Sequence, residues 1–327
     1  MRRLHAFATA AVALSLLVSA PAGRAVASRD PVRARHAMVA TTHALATEVG
    51  VDVLRRGGNA VDAAVAVAVA LAVVYPVAGN LGGGGFMLIR TKDGRATAID
   101  YREVAPAAAT RGMYLDAKGE VVPDASTVGY RAAGVPGTPA GLALAVEKYG
   151  TMRWDQLLEP ARRLAERGYA VDLRDLRQLE SDADKLAKFP DSRRIFLRDG
   201  KPYREGELLR QPELAATLAR MQKDGPREFY EGETAKRIAA DMKANGGLIT
   251  LADLGAYRAR EREPLVGAYR GHGIITMPPP SSGGAVLLEM LNMLERFDLA
   301  ASGFGSSRTM HLQVEAMRRA FADRAEY

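Results

Sequence analysis

Few residues of this sequence are placed by type and spacing to do chemistry. Arg102 closes an alternating apolar segment, and its planar guanidinium could grip a carboxylate through two parallel hydrogen bonds. An arginine at a strand end is more ordinarily a solvated charge, paired here with Asp100 or Glu103. Ser281 and Ser282 stand just before Gly283-Gly284 and an apolar helical run, so either caps that helix, and the bare amides of its first turn would also suit an anion. The run Gly79-Asn80-Leu81-Gly82-Gly83-Gly84-Gly85 invites a phosphate-loop reading. In such loops, however, glycines follow a strand and open a helix, whereas these follow a helix and open a strand, which favours close backbone packing. The five histidines, His5, His36, His43, His272 and His311, show no paired ligand spacing, and the sequence has no cysteine. Neither a metal nor a cofactor is expected.

Arg102 needs a strand to carry it. Asn59 reads as the N-cap of a helix over Ala60–Val74, where every residue but Asp62 is apolar and no single face is amphipathic, so the helix is expected to be buried on all sides. Its fifteen residues fall short of the roughly 20 that a membrane span takes. Pro76 ends it. Phe86–Arg90 and Ala96–Arg102 read as two strands joined at the turn Lys92-Asp93-Gly94-Arg95. Period-2 alternation puts Thr97, Ile99 and Tyr101 on one face and Ala98, Asp100 and Arg102 on the other.

Elsewhere the pattern is mostly helical. Thr41 or Thr42 could cap a helix ending at Arg56, and Pro139–Tyr149 is a small-residue helix with proline in its first turn. Charged, periodic segments follow at Trp154–Arg167, Leu173–Leu186, Glu213–Asp224, Ala235–Asn245 and Leu251–Tyr257, broken at Pro190-Asp191, Arg198-Asp199-Gly200 and Asp224-Gly225-Pro226. Residues 151–265 are therefore expected to form a helix-rich outer layer of one domain, with no low-complexity linker. Tyr269–Thr276 reads as a strand returning to the sheet, and Ala285–Arg296 and Ser307–Tyr327 as helices. The fold class expected is α/β, in the α+β sense.

Met1-Arg2-Arg3, the apolar Ala6–Val18 and the small residues Ala20-Pro21-Ala22 or Ala25-Val26-Ala27 have the order of a secretory signal, so residues 1–27 are expected to be removed, leaving a domain at 28–327 in the periplasm or outside the cell. Three arginines and no acid lie in that segment, so the net charge drops from +7 to +4. So mild a balance gives no case for nucleic acid as a partner, and none is expected with a membrane once the signal is gone. Some 300 remaining residues can bury a core without disulfides.

Three stretches raise Arg102 above a solvated charge. Asn59-Ala60-Val61-Asp62-Ala63-Ala64, the glycine run through Phe86, and Asp100-Tyr101-Arg102-Glu103-Val104-Ala105-Pro106 resemble, in this order and spacing, the large-subunit region of γ-glutamyltranspeptidases (γ-glutamyltransferases, glutathione hydrolases). Similar matches recur at Gly134–Thr138, Tyr149–Met152, Asn245–Thr250, Met277–Gly284 and Ala322-Asp323-Arg324, so the resemblance covers nearly everything after Ala37. It implies part of an N-terminal-nucleophile hydrolase αββα sandwich. The precursor would cut itself into a large and a small subunit that stay together. A new N-terminal threonine would then attack the γ-glutamyl amide of glutathione-like donors and pass the acyl group to water or an amino acid. The resemblance assigns Arg102 to the α-carboxylate of the γ-glutamyl group and places the nucleophilic threonine beyond Tyr327, so this stretch alone is expected to be inactive. Thr41-Thr42-His43 echoes the family's Thr-Thr-His processing site, but it sits at a helix start in the large subunit and is expected to be a cap. The family's substrate-binding serine pair belongs to the small subunit and does not transfer to Ser281 and Ser282. Two alternatives remain: a β-lactam (cephalosporin) acylase of the same superfamily, whose glutaryl group mimics γ-glutamyl, or a non-catalytic secreted remnant.

Overall fold

The computed structural model describes residues 31–326; the expected signal at 1–27 lies outside them. Helix α1 spans Ala44–Arg55. Its cap is neither threonine: the Nδ1 of His43 accepts from Leu45 N at 3.2 Å, while Thr41 Oγ1 donates to His43 O at 2.7 Å. A buried imidazole at the chain's bend does what a hydroxyl was expected to do.

Helix α2, Ala60–Val74, lies at the centre of the core. The Asn59 side chain accepts from Val61 N and Asp62 N, and the Asp62 carboxylate accepts from Asn59 N, closing a reciprocal cap. The expectation of burial all round holds for most of its circumference. Ala60, Ala64, Ala68 and Leu71 form one less covered strip. Asp62 has no exposed surface and also accepts from Thr151 N, Thr151 Oγ1 and Met152 N. Burial opposes its charge, but the hydrogen bonds from Thr151, Asn59 and Met152 prevail and hold the carboxyl below its ordinary range. Those bonds tie the start of α2 to the loop after helix α3, Thr138–Tyr149.

Strands β1 (Phe86–Arg90) and β2 (Ala96–Asp100) form the expected hairpin. The third strand of their sheet is not the one expected. A short β5, Arg260–Arg262, pairs antiparallel with β2 in the register Ala98↔Arg262, Ile99↔Glu261, Asp100↔Arg260, giving the order β1-β2-β5. The segment read as a returning strand is instead half of a separate hairpin, β6 (Leu265–Tyr269) with β7 (His272–Thr276). Arg270 and Gly271 both have positive φ, which is the geometry of a tight hairpin turn and breaks the run at its middle.

Between residues 151 and 265 the structure is largely helical. Helix α4 (Trp154–Arg167) presents Leu157, Leu158, Ala161 and Ala165 to the core, α5 is Leu173–Leu186, and α6 (Pro190–Phe196) occupies a place expected to be a break, its proline sitting in the first turn. Then follow α7 (Pro212–Asp224), which packs Ala215, Leu218 and Met221 against α4, the short α8 (Glu228–Glu231), α9 (Glu233–Ala244) and α10 (Leu251–Ala256). A two-stranded β3–β4 ladder (Tyr169–Ala170, Leu208–Leu209) interrupts them. Helices α11 (Ser282–Leu294), α12 (Leu299–Ser302) and α13 (Ser307–Glu326) complete an α+β fold. Among the described residues, no helix is long and apolar enough to cross a membrane.

Candidate functional site

Arg102 leaves the end of β2 at the lip of an open cleft of about 760 Å³, which Asp100, Tyr257, Arg258, Arg260, Arg262 and Pro280 help to line. Its position is set by the residue before it. Tyr101 exchanges backbone hydrogen bonds with Gly85 and is 9% exposed, its ring filling the space that a Cβ on Gly141 would occupy, 2.1 Å from the Tyr101 Cγ. Burial pushes the Tyr101 hydroxyl up to about 12, so it stays a neutral donor.

The Arg102 backbone is clamped from both sides. Asp100 Oδ1 accepts from Arg102 N at 3.1 Å, and the Tyr257 hydroxyl donates to Arg102 O at 2.8 Å. Asp100 is itself held by Arg262 Nε at 2.7 Å. The expected partnership of Arg102 with Asp100 thus exists, but through the main chain. Among the described residues no carboxylate forms an ion pair with the Arg102 guanidinium, which donates to Pro280 O at 3.3 Å and lies 6.0 Å from the Phe86 ring centroid. A fixed backbone under an exposed guanidinium that lacks a carboxylate partner is an arrangement suited to holding an anion from outside.

Tyr257 belongs to the site and sequence reasoning missed it, placing it only as the last residue of a short helix. It stacks on Tyr230 at 5.8 Å and 9°, and Tyr230 in turn donates to Pro136 O at 3.1 Å and accepts from Ala140 N. Burial, and then the charges of Asp100 and Glu103, push the Tyr257 hydroxyl up, which keeps it protonated as a donor. Only a glycine at 137 leaves room for this: a Cβ there would stand 2.0 Å from Tyr101 O and 2.2 Å from the Tyr257 hydroxyl. The glycine run acts as the order of elements suggested. Gly83 O accepts from Gly137 N and Thr138 N, and a Cβ on Gly84 would lie 2.6 Å from Tyr101 O.

Ser281 caps α11, accepting from Gly283 N at 3.3 Å, and Ser282 accepts from Arg324 Nε at 2.8 Å. The structure brings this turn to the site through Pro280 O, while Ser281 is engaged by its own helix and Ser282 by Arg324 of α13. One cluster has the composition of a metal site, His43 with Asp172 and Asp175, its ligand atoms all within 4.8 Å of one another. Its chemistry fits a different role. His43 Nδ1 accepts from a backbone amide and caps α1, and the two carboxylates cap α5 reciprocally.

The Gamma-glutamyltranspeptidase family model matches residues 46–327. A glutathione hydrolase proenzyme of Escherichia coli (strain K12) is 51% identical over 300 residues, which cover 91% of this chain and 51% of that protein. The chain spans about half the length of the curated relatives it matches. The solved γ-glutamyltranspeptidase of Helicobacter pylori superposes with a TM-score of 0.89 at 47% identity, covering 91% of this chain and 86% of that one. A cephalosporin acylase from Bacillus halodurans is more distant, with a TM-score of 0.77 at 31% identity, covering 90% of this chain and 56% of that one. By its sequence and by its α+β fold, the chain belongs to the γ-glutamyltranspeptidase family.

Proposed function

We propose that this chain supplies the large-subunit part of an exported γ-glutamyltransferase, in which Arg102 holds the α-carboxylate of a glutathione-like donor. The observation that carries the reading is the Arg102 guanidinium itself: among the described residues it has no carboxylate ion-pair partner, and it sits at a cleft on a main chain fixed by Asp100 and Tyr257. The nucleophilic threonine of the reaction would come from a small subunit of the same precursor, which would remain associated as a heterodimer. That subunit would form an acyl-enzyme from the γ-glutamyl group and release it to water or an amino acid. Export rests on the signal-like order of residues 1–27.

The test is Arg102→Lys in the processed enzyme. A lysine keeps the charge but loses the bidentate grip, so self-cleavage should proceed normally while binding of γ-glutamyl donors weakens by about 1.5–3 kcal/mol, read as a raised KM. An unchanged KM would remove Arg102 from the site. A glutaryl β-lactam would offer Arg102 a carboxylate as well, and the likeness to a cephalosporin acylase keeps that substrate as the second reading.

A further inference from the structure

Beside the first turn of α5 lies a cavity of about 260 Å³ that shares no lining residue with the cleft at Arg102. Three local features build it. Opposed residues of an antiparallel ladder project to one face, so the pairing of Tyr169 with Leu209 turns both side chains the same way, and both line the cavity. Asp175, Leu179, Asp182 and Leu186 recur at helical spacing along α5 and form a second wall. Tyr75 and Val77, just past the end of α2, and Phe196, the last residue of α6, close it, with Val77 46% exposed at the mouth.

Two polar groups open into this apolar space. Tyr169 is 3% exposed and Asp175 7%. Among the described residues the Tyr169 hydroxyl makes no hydrogen bond, and the Asp175 carboxylate uses only Oδ2, which accepts from Asp172 N at 3.2 Å. Unlike His43 Nε2, neither that hydroxyl nor Asp175 Oδ1 is fully enclosed, so both face open space, and the cavity that both residues line is that space. They are close enough to act together: burial, and then the charge of Asp175, push the Tyr169 hydroxyl up and keep it neutral.

The other charges nearby are spent elsewhere. Asp182 and Lys185 also line the cavity, but they pair with each other at 3.4 Å through exposed side chains. His43 Nε2 approaches Asp175 Oδ2 at 3.9 Å, beyond hydrogen-bond range, and Arg174 gives its guanidinium to Thr42 O. A buried carboxylate oxygen that lacks a donor calls for one, and aromatic walls favour a cation that carries an apolar body. An apolar cavity of about 150 Å³ holds a benzene, so this one admits a ring with a two-carbon arm.

We propose that the cavity is a binding site for a small arylalkylamine in its ammonium form. The ammonium donates to Asp175 Oδ1 and to the Tyr169 hydroxyl oxygen, and the ring lies among Tyr75, Leu179, Phe196 and Leu209. The site stands independently of the role proposed for Arg102.

The experiment is calorimetric titration of the intact protein with 2-phenylethylamine, 2-phenylethanol and phenylacetate, which share the ring and differ in the polar end. The amine should bind at about 1 mM or tighter, the alcohol about tenfold more weakly, and the anion not measurably. Asp175→Asn keeps an oxygen that can accept from Asp172 N, and it should bring the amine down to the affinity of the alcohol. Tyr169→Phe leaves the cap of α5 untouched and should weaken the amine about threefold. Val77→Trp fills the exposed mouth, so it should abolish binding of the amine and the alcohol while the melting curve stays as it was. No heat from the amine at about 10 mM, or equal affinities for amine and alcohol, would overturn the site. So would amine binding that survives Val77→Trp, or that is unmoved by both Asp175→Asn and Tyr169→Phe.

Discussion

The Tyr257 hydroxyl donates a 2.8 Å hydrogen bond to the carbonyl of Arg102, across 155 residues of chain. It fixes the peptide that carries the guanidinium rather than the guanidinium itself, so it acts as a positioning residue. Tyr257→Phe keeps the ring stacked on Tyr230 and removes only this bond. It should cost about 1 kcal/mol in a urea melt. It should also weaken a γ-glutamyl ligand, up to about fivefold, if the carbonyl's position matters to Arg102. A full stability loss with no change in binding would reduce Tyr257 to a structural role.

Gly137 makes that contact sterically possible. Gly137→Ala would place a methyl group within 2.2 Å of the Tyr257 hydroxyl and 2.0 Å of Tyr101 O, both on well-packed elements. We expect a loss of about 1–3 kcal/mol or more, with the binding defect of Tyr257→Phe included in it. Combining the two substitutions checks this, because residues sharing one contact should show less than additive effects.

Asp62 gives the fold an acid limit. Its carboxyl is held below its ordinary value of 3.8 in the folded chain, so the folded state binds the proton less readily than the unfolded one. The resulting stabilisation is complete above about pH 4 and is lost as pH falls through the folded-state value. Asp62→Asn should flatten stability against pH in this acid range and cost about 2–4 kcal/mol at neutral pH, because the amide cannot accept as many of the Asn59, Thr151 and Met152 bonds. Equal pH slopes for the two proteins would discount Asp62.

Among the described residues, the sheet β1-β2-β5 gives β1 a neighbour on one side only, and Leu88 on that strand is 43% exposed. An open edge of this kind templates further pairing, so this chain on its own should self-associate, and Leu88→Lys should reduce the effect. Sedimentation velocity decides it. A monodisperse, sharply melting sample of the unsubstituted chain would refute the expectation.

What the sequence made legible follows from how local each signal is. The Asn59 cap, the apolar α2, the Phe86–Arg90/Ala96–Asp100 hairpin and the capping of α11 by Ser281 all arise from neighbours in the chain, and periodicity finds them. Arg102 could be singled out only by resemblance, since strand-end arginines are common. β5 was invisible because three charged residues, Arg260-Glu261-Arg262, form a strand only when β2 is beside them. The roles of Tyr257 and Gly137 escape local reading for the same reason, each meeting its partner across a long sequence interval. Tyr269–Thr276 departs from the strand expectation for another reason: Arg270-Gly271 is a turn signal that outweighs the strand-forming residues around it.

The residues that fix Arg102 come late in synthesis. Tyr257 and Pro280 follow it by 155 and 178 residues. At ribosomal rates of about 5–20 residues per second, the arginine leaves the tunnel roughly 9–36 s before its last contact does. Throughout that interval the guanidinium lacks both contacts, so a chain that ends before Tyr257 should hold no anion at Arg102.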